Sequence, residues 1–159
     1  MKNFTIHLAT DHAGFDHKEG VKKWLKEEGF TVVDHGANQV DPLDDFPDFI
    51  SLAATAVSAK PTDRAIIFGG SGQGEAMVAN RFMNVRATVY YGGEESIPAL
   101  GREHNDSNVL SIGARFVSLD EAKKVIWQWL HTEVLTDDKY TRRNQKIEAI
   151  TRELRCHAK

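Results

Sequence analysis

The sequence predicts an α/β protein, a three-layer α/β/α Rossmann-like fold around a five-stranded parallel sheet. Short apolar runs alternate along the chain with longer stretches whose apolar residues recur at helical spacing. The chain has 159 residues and 41% hydrophobic content, which is enough for one sizeable core. No linker, repeat or low-complexity segment interrupts it. We therefore expect a single domain over residues 1–159.

The predicted strands are the short apolar runs between turn residues. They cover 4–9, 31–34, 64–68, 86–90 and 109–112. Helical spacing between them appears, for example, in Ile50, Ala53, Ala54 and Val57. A capping box at 118–121 begins the helix after the fifth strand. Alternating strands and helices favour parallel strands, right-handed crossovers and helices on both faces of the sheet.

Composition limits the partners of the chain. A net charge of −3 and a pI near 6.2 give no basic surface for nucleic acid, and no apolar run reaches the roughly 18 residues of a membrane span. The N-terminus lacks the pattern of a signal peptide, and the single Cys156 suits a reducing compartment. We expect a cytoplasmic protein that binds small molecules and copies of itself, with no nucleic-acid or membrane partner.

Residues 64–82, RAIIFGGSGQGEAMVANRF, carry the clearest functional signal. A buried strand opens into Gly69, Gly70, Gly72 and Gly74, and a helix follows with Glu75 in its first turn. Glycines let the backbone approach a ligand, and the N–H groups at a helix start favour negative charge. This pattern favours a site for a phosphate or a developing oxyanion, with a base attached. Alternatively, Glu75 only complements the helix dipole.

Nucleotide-binding loops fit this segment badly. A dinucleotide fingerprint follows the first strand, whereas these glycines follow the third predicted strand. A P-loop ends in Gly-Lys-Ser/Thr, whereas Gly74 is followed by Glu75. An acidic loop with Asp41, Asp44 and Asp45 lacks the glycine-centred calcium pattern, and we interpret it as solvated.

Two further polar segments are predicted at the same edge of the sheet as the glycine loop. Asp11 and His12 follow the first strand, and Arg115 follows the fifth. Ligands of doubly wound sheets bind outside the carboxyl ends of the strands. We therefore expect the three segments to line one crevice.

His104 and Asn105 are predicted near the opposite edge, because they end the fourth helix and precede the fifth strand. The last helix, predicted over 142–156, has no further strand to return to and is expected to reach a neighbouring subunit. If both segments serve the site, a symmetric dimer completes it.

Together these segments resemble the ribose-5-phosphate isomerase B family, which also contains galactose-6-phosphate isomerase subunits and allose-6-phosphate isomerases. The resemblance covers nearly the whole chain and rests on four motifs in order. They are ATDHAGF at 9–15, GGSGQGEAMVANR at 69–81, REHNDSNVLSIGAR at 102–115 and RRNQKIEAI at 142–150. It implies cofactor-free and metal-free aldose–ketose isomerisation of a sugar phosphate. It also implies a homodimer with sites between subunits, and whether such dimers pair into tetramers stays open.

The family uses either a cysteine at the end of the third strand or a glutamate after the glycine loop as its base. The cysteine position is Gly69 here, so the resemblance implies the glutamate type with Glu75 as proton acceptor. Burial would have to raise the pKa of Glu75 against the effect of the helix dipole.

The resemblance also implies roles for the glycine loop and for His104. The loop would form the hole for the enediolate oxygens, and its members are Gly70, Ser71, Gly72, Gln73 and Gly74. Ser71 would orient the base or a substrate hydroxyl, unless it only bonds its own turn. His104 would open the sugar ring, unless it is a helix cap or a surface residue. Asn105 would bind sugar hydroxyls, although it also suits a helix C-cap.

Asp11 and His12 resemble the pair that holds the sugar and its phosphate. The positions of the family's phosphate-binding arginines carry Arg115, Arg142 and Lys146. Lys146 departs from the pattern, as does Arg143 where relatives carry histidine. The alternative is that these cations cover a solvated helix end.

The sequence thus predicts interconversion of D-ribose 5-phosphate and D-ribulose 5-phosphate, through ring opening and an enediolate. The departures at 143 and 146 leave a hexose 6-phosphate open as the substrate, such as allose 6-phosphate or galactose 6-phosphate. A sugar-phosphate-binding protein without catalysis is the alternative from another class.

Overall fold

A computed structural model describes residues 4–157 of the chain. Within this range strands and helices alternate as the sequence predicts. The strands are β1 Thr5–Thr10, β2 Thr31–Asp34, β3 Arg64–Gly69, β4 Ala87–Tyr90 and β5 Val109–Gly113. The helices are α1 Phe15–Glu27, α2 Phe46–Ala59, α3 Gln73–Ala79, α4 Ile97–Asn105, α5 Leu119–His131 and α6 Asp138–His157.

The five strands form one parallel sheet in the order β2-β1-β3-β5-β4. The central strands β1, β3 and β5 are almost wholly buried, whereas the edge strands β2 and β4 are partly exposed. Parallel strands covered on both faces read as continuous apolar runs, which is why β3 and β5 are clear in the sequence. The predicted α/β fold with a five-stranded parallel sheet is confirmed.

Helices cover both faces of the sheet and enclose two cores. One core joins α1 and α5 to the sheet through residues such as Leu25, Ile126 and Trp129. The other joins α2 and α3 to the opposite face through Val57 and Ala79. No helix within residues 4–157 has both the length and the apolarity to cross a bilayer.

The strand order opens a crevice between β1 and β3. The chain leaves β1 towards β2 on one side, and it leaves β3 towards β4 on the other side. Ligands of open α/β sheets bind at the carboxyl ends of strands where the order reverses in this way. The switch point therefore lies between the segments that follow β1 and β3.

Helix α6 packs at the other end of the sheet, against α4 and the start of β4. Arg86 donates to Glu148 over 2.6 Å, and the Asn144 amide donates to the His104 carbonyl over 3.2 Å. The helix begins at Asp138, earlier than predicted, and this carboxylate lies in the first turn where the dipole favours it. Its outer face leaves Ile147 44% exposed and Ile150 57% exposed.

Candidate active site

A cleft of about 440 Å³ opens at the carboxyl ends of the central strands. Segments after β1, β3 and β5 line it together with the start of α2, as the sequence analysis expects for the first three. Its polar lining includes Asp11, His12, Ser71, Glu75 and Arg115. Two carboxylates, an imidazole and a guanidinium therefore face one small volume.

Glu75 is the buried acid of this cleft. It lies in the first turn of α3 and is 4% exposed. Burial raises the pKa of its carboxyl, the nearby charge of Asp11 adds to this, and a bond from its own backbone N–H lowers the pKa. The net rise brings the carboxyl closer to the range of a useful general base.

Gly69 makes room for that carboxylate at the end of β3. A Cβ on Gly69 would lie 1.8 Å from Oε1 of Glu75, so a side chain at 69 and this conformation of Glu75 exclude each other. The cysteine base and the glutamate base that the resemblance implies thus compete for the same space. This gives a steric reason for glycine where the third strand ends.

The glycine loop is held closely against the end of β5. Gly72 has a φ of 77°, and a Cβ there would lie 3.1 Å from the Gly113 nitrogen. Ser111 Oγ donates to the Gly72 carbonyl over 2.6 Å. The Arg115 guanidinium lies over Gly70, 3.3 Å from the place of a Cβ. The loop backbone and a cation therefore border the cleft together.

The predicted loop residues differ in where they lie. Gly70, Ser71 and Gly74 line the cleft, whereas Gln73 lines a separate groove. Ser71 Oγ accepts a hydrogen bond from the Gln73 backbone N–H over 3.4 Å, as expected if Ser71 only stabilises its own turn. Ser71 still lines the cleft, so its hydroxyl can also contact a ligand.

Asp11 and His12 form the tip of β1. Asp11 caps a 3-10 turn at His12–Gly14, because its Oδ1 accepts from the Ala13 backbone over 2.9 Å. His12 Nδ1 lies 2.6 Å from Asp44 Oδ1, and this hydrogen bond raises the pKa of His12. The imidazole is therefore biased towards its protonated form.

Phe46 and Phe116 line the cleft but were not predicted from the sequence, and neither was the bond of Asp44 to the cleft residue His12. The loop expectation is wrong for Asp44, whose side chain is only 8% exposed because it folds onto His12. Phe46 begins α2, and its ring lies 2.8 Å from the place of a Cβ on Gly74. The sequence does indicate that a helix starts here, because Asp45 is followed by Phe46 and Pro47. It does not indicate that the ring of Phe46 faces the glycine loop.

His104 and Asn105 lie outside the cleft of the same chain. They end α4, before β5, whereas Arg115 follows β5, and that five-residue strand is roughly 13 Å long. The His104 ring stacks on the ring of Tyr140 in α6, with 4.6 Å between the ring centroids and 4° between the ring planes. Arg142 and Lys146 are exposed on α6. One subunit does not bring these four predicted residues to the cleft.

Asp11, His12 and Asp44 offer polar atoms within 4.8 Å of one another. Of these atoms, His12 Nδ1 and Asp44 Oδ1 are already bonded to each other. The expectation that the site uses no metal and no cofactor stays a prediction.

Comparison with known proteins assigns the class of this fold and cleft. The Ribose/Galactose Isomerase family model matches residues 6–147. The chain belongs to this family.

Individual relatives match over nearly their whole length. The chain is 36% identical over 146 residues to ribose-5-phosphate isomerase B of Escherichia coli K12, covering 92% of this chain and 93% of the relative. It is 34% identical over 151 residues to the probable ribose-5-phosphate isomerase B of Mycoplasma pneumoniae, covering 95% and 97%. The crystal structure of ribose-5-phosphate isomerase B from Mycoplasma genitalium with bound ribulose-5-phosphate superposes with a TM-score of 0.90 at 35% identity, covering 95% and 98%.

Proposed function

We propose that this protein is an aldose–ketose isomerase that interconverts D-ribose 5-phosphate and D-ribulose 5-phosphate. The observation that carries the proposal is the buried Glu75 carboxylate over Gly69, at the wall of a cleft with an adjacent guanidinium. Family membership and the ribulose-5-phosphate bound to the Mycoplasma genitalium relative support the choice of sugar.

The proposed reaction needs one mobile base and donors for a developing oxyanion. After the furanose opens, Glu75 takes the proton from C2 of the aldose. The electrons of the broken C2–H bond form the C1=C2 double bond, and the aldehyde oxygen at C1 takes up the negative charge of the enediolate. The proton of the C2 hydroxyl then passes to the oxygen at C1, Glu75 returns its proton to C1, and C2 becomes the ketone. The backbone of Gly70 to Gly74 would bond the enediolate oxygens, with Ser71 orienting a substrate hydroxyl.

The phosphate would lie between Arg115 and cations of a second subunit. Arg142 and Lys146 are exposed on α6, where they are free to meet a neighbour's cleft, and Ile147 and Ile150 offer an apolar stripe beside them. We therefore propose a homodimer in which His104 of one chain opens the ring bound at the cleft of the other, with Asn105 bonding sugar hydroxyls. Pairing of dimers into tetramers, a single domain over 1–159 and a cytoplasmic location remain predictions.

Proton NMR in D₂O tests the proposal with ribose 5-phosphate, allose 6-phosphate and galactose 6-phosphate in parallel. We expect ribulose 5-phosphate to form with loss of the C2 proton signal, and the hexose phosphates to react more slowly. A preference for a hexose phosphate would favour the alternative suggested by Arg143 and Lys146. Tight binding with neither isomerisation nor C2 exchange would make the protein a sugar-phosphate binder.

A further inference from the structure

We propose that Asp44 is a positioning residue that fixes the His12 ring so that its free nitrogen donates to a phosphate oxygen of the substrate. This inference rests on the proposed function, because it assigns a task to the same cleft. Residue 44 lies outside the four motifs that carry the family resemblance.

Two bonds hold His12 to one carboxylate oxygen. Asp44 Oδ1 accepts from the His12 backbone N–H over 3.2 Å and lies 2.6 Å from His12 Nδ1. The backbone bond fixes the position of the residue, and the ring bond fixes the orientation of the imidazole. With Nδ1 engaged, Nε2 is the ring nitrogen left for a ligand, and it has no hydrogen-bond partner among the side chains described, those of residues 4–156.

The surrounding charges favour a doubly protonated ring. Asp44 and Asp11 both favour the cationic form of His12, whereas Arg115 opposes it. Asp44 Oδ2 is buried and has no hydrogen-bond partner among the described residues, so within that part of the chain this carboxylate bonds only to the ring and backbone of His12. A buried carboxylate without further partners is stabilised by a cation at bonding distance.

The charges at this wall of the cleft favour an anionic group of the ligand over a neutral sugar hydroxyl as the partner of His12. A protonated His12 and the Arg115 guanidinium border the same cleft, and the charge of Arg115 lowers the pKa of His12. Two cations at one wall repel each other unless an anion lies between them. A phosphate oxygen accepting from His12 Nε2 and Arg115 relieves that repulsion. Asp44 then acts on substrate affinity and leaves the proton transfer at Glu75 largely unchanged.

The test compares Asp44→Asn with Asp45→Asn as a matched control. Asn keeps the size of the side chain and removes the charge. Asp45 is the exposed N-terminal neighbour of α2, and its side chain makes no capping bond. Three quantities are measured: the His12 titration by proton NMR, the affinity for inorganic phosphate, and kcat and KM for ribose 5-phosphate.

We expect Asp44→Asn to move the His12 titration to lower pH and to weaken phosphate binding about tenfold, which is the size expected for loss of one charged hydrogen bond. KM should rise by a similar factor while kcat stays within about twofold. Because a raised His12 pKa keeps the cation present up to higher pH, KM of the wild type should begin to rise at higher pH than KM of the variant. Asp45→Asn should leave all three quantities unchanged.

Two further variants separate positioning from general loss of structure. Asp44→Glu retains the charge and should keep most of the phosphate affinity. In a His12→Gln background, Asp44→Asn should cause no further loss, because its effect passes through the ring. An unchanged His12 titration in Asp44→Asn would overturn the proposal, as would a fall in kcat with constant KM. A wild type that fails to turn over ribose 5-phosphate would reject the proposed function instead, and the titration would still test the pair.

Discussion

The cleft at the carboxyl ends of β1 and β3 and the α4–α6 edge at the other end of the sheet are built differently. Around the cleft, Glu75 and Asp44 are buried or bonded into place. At the α4–α6 edge, Arg142 and Lys146 are exposed and a stripe of apolar residues on α6 faces outward. The first region is arranged by one chain's own sheet, whereas the second exposes apolar side chains of the kind that the proposed subunit contact would cover.

The difference has a physical cause. The cleft residues follow strands whose register places them together, since Gly69 pairs with Gly113 and Thr10 pairs with Phe68. Helix α6 is anchored to its own chain by a few polar contacts, among them the Arg86–Glu148 pair. Its polar face bonds to its own chain, and in the proposed dimer its exposed apolar face packs against the neighbour.

Replacement of the proposed base, Glu75, should cause the largest loss of activity. Glu75→Gln keeps the shape of the side chain and removes its ability to accept a proton. We expect kcat for ribose 5-phosphate to fall by about 10² to 10⁴, with loss of C2 proton exchange in D₂O. Glu28→Gln, an exposed change of the same kind at the end of α1, should leave kcat unaltered. Comparable activity in Glu75→Gln would remove this residue from the mechanism.

The steric relation between Gly69 and Glu75 gives the next largest effect. In Gly69→Ala the new Cβ displaces the carboxylate, whose Oε1 would be 1.8 Å away. We expect kcat to fall by about 10², the lower part of the range for a general base. Gly29→Ala serves as control, since it strains a φ of 79° but meets no atom within 4 Å. It should lower the melting temperature and spare kcat.

A smaller change in activity is expected when the bond that holds α6 to the rest of its chain is weakened. Glu148→Gln weakens the 2.6 Å bond from Arg86, and loss of a charged hydrogen bond costs about 1–3 kcal/mol. If α6 presents phosphate-binding cations to a neighbour, KM should rise about threefold to tenfold while the Glu75 step persists. Glu153→Gln on the exposed part of the same helix is the matched control. Equal KM values in both variants would mean that the cleft binds phosphate without α6.

The smallest effect concerns stability and pH. Because the pKa of Glu75 is raised by burial, the folded state binds the proton more tightly than the unfolded state. The free energy of unfolding should therefore decrease as pH rises from the unfolded value near 4.5 through the raised pKa. Above that pH range the wild type has lost this contribution and Glu75→Gln has not, so the variant should be more stable than the wild type. Urea unfolding at several pH values measures the difference, and parallel curves for both proteins would contradict it.

The sequence predicts the sheet well because its central strands are continuous apolar runs, and it predicts the cleft because Asp11, Gly70 and Arg115 each follow such a strand. The motif also predicts Glu75 as the base, and the structure shows the burial that raises its pKa. Asp44 and Phe46 could not be predicted, since Asp44 reaches His12 from the loop before α2 and Phe46 reaches the cleft from the first turn of α2. The first turn of α6 could not be predicted from the sequence, because its residues are mostly polar and show no apolar side chains at helical spacing.

Mixing two inactive chains tests the central claim, that the two regions meet across a subunit boundary. Glu75→Gln chains and His104→Ala chains are unfolded, refolded together and assayed with ribose 5-phosphate. In a mixed dimer one shared site regains both wild-type residues, so random pairing should restore about one quarter of wild-type activity. No recovery, with mixed dimers verified by differently tagged chains, would contradict the account and place both residues in one subunit's site.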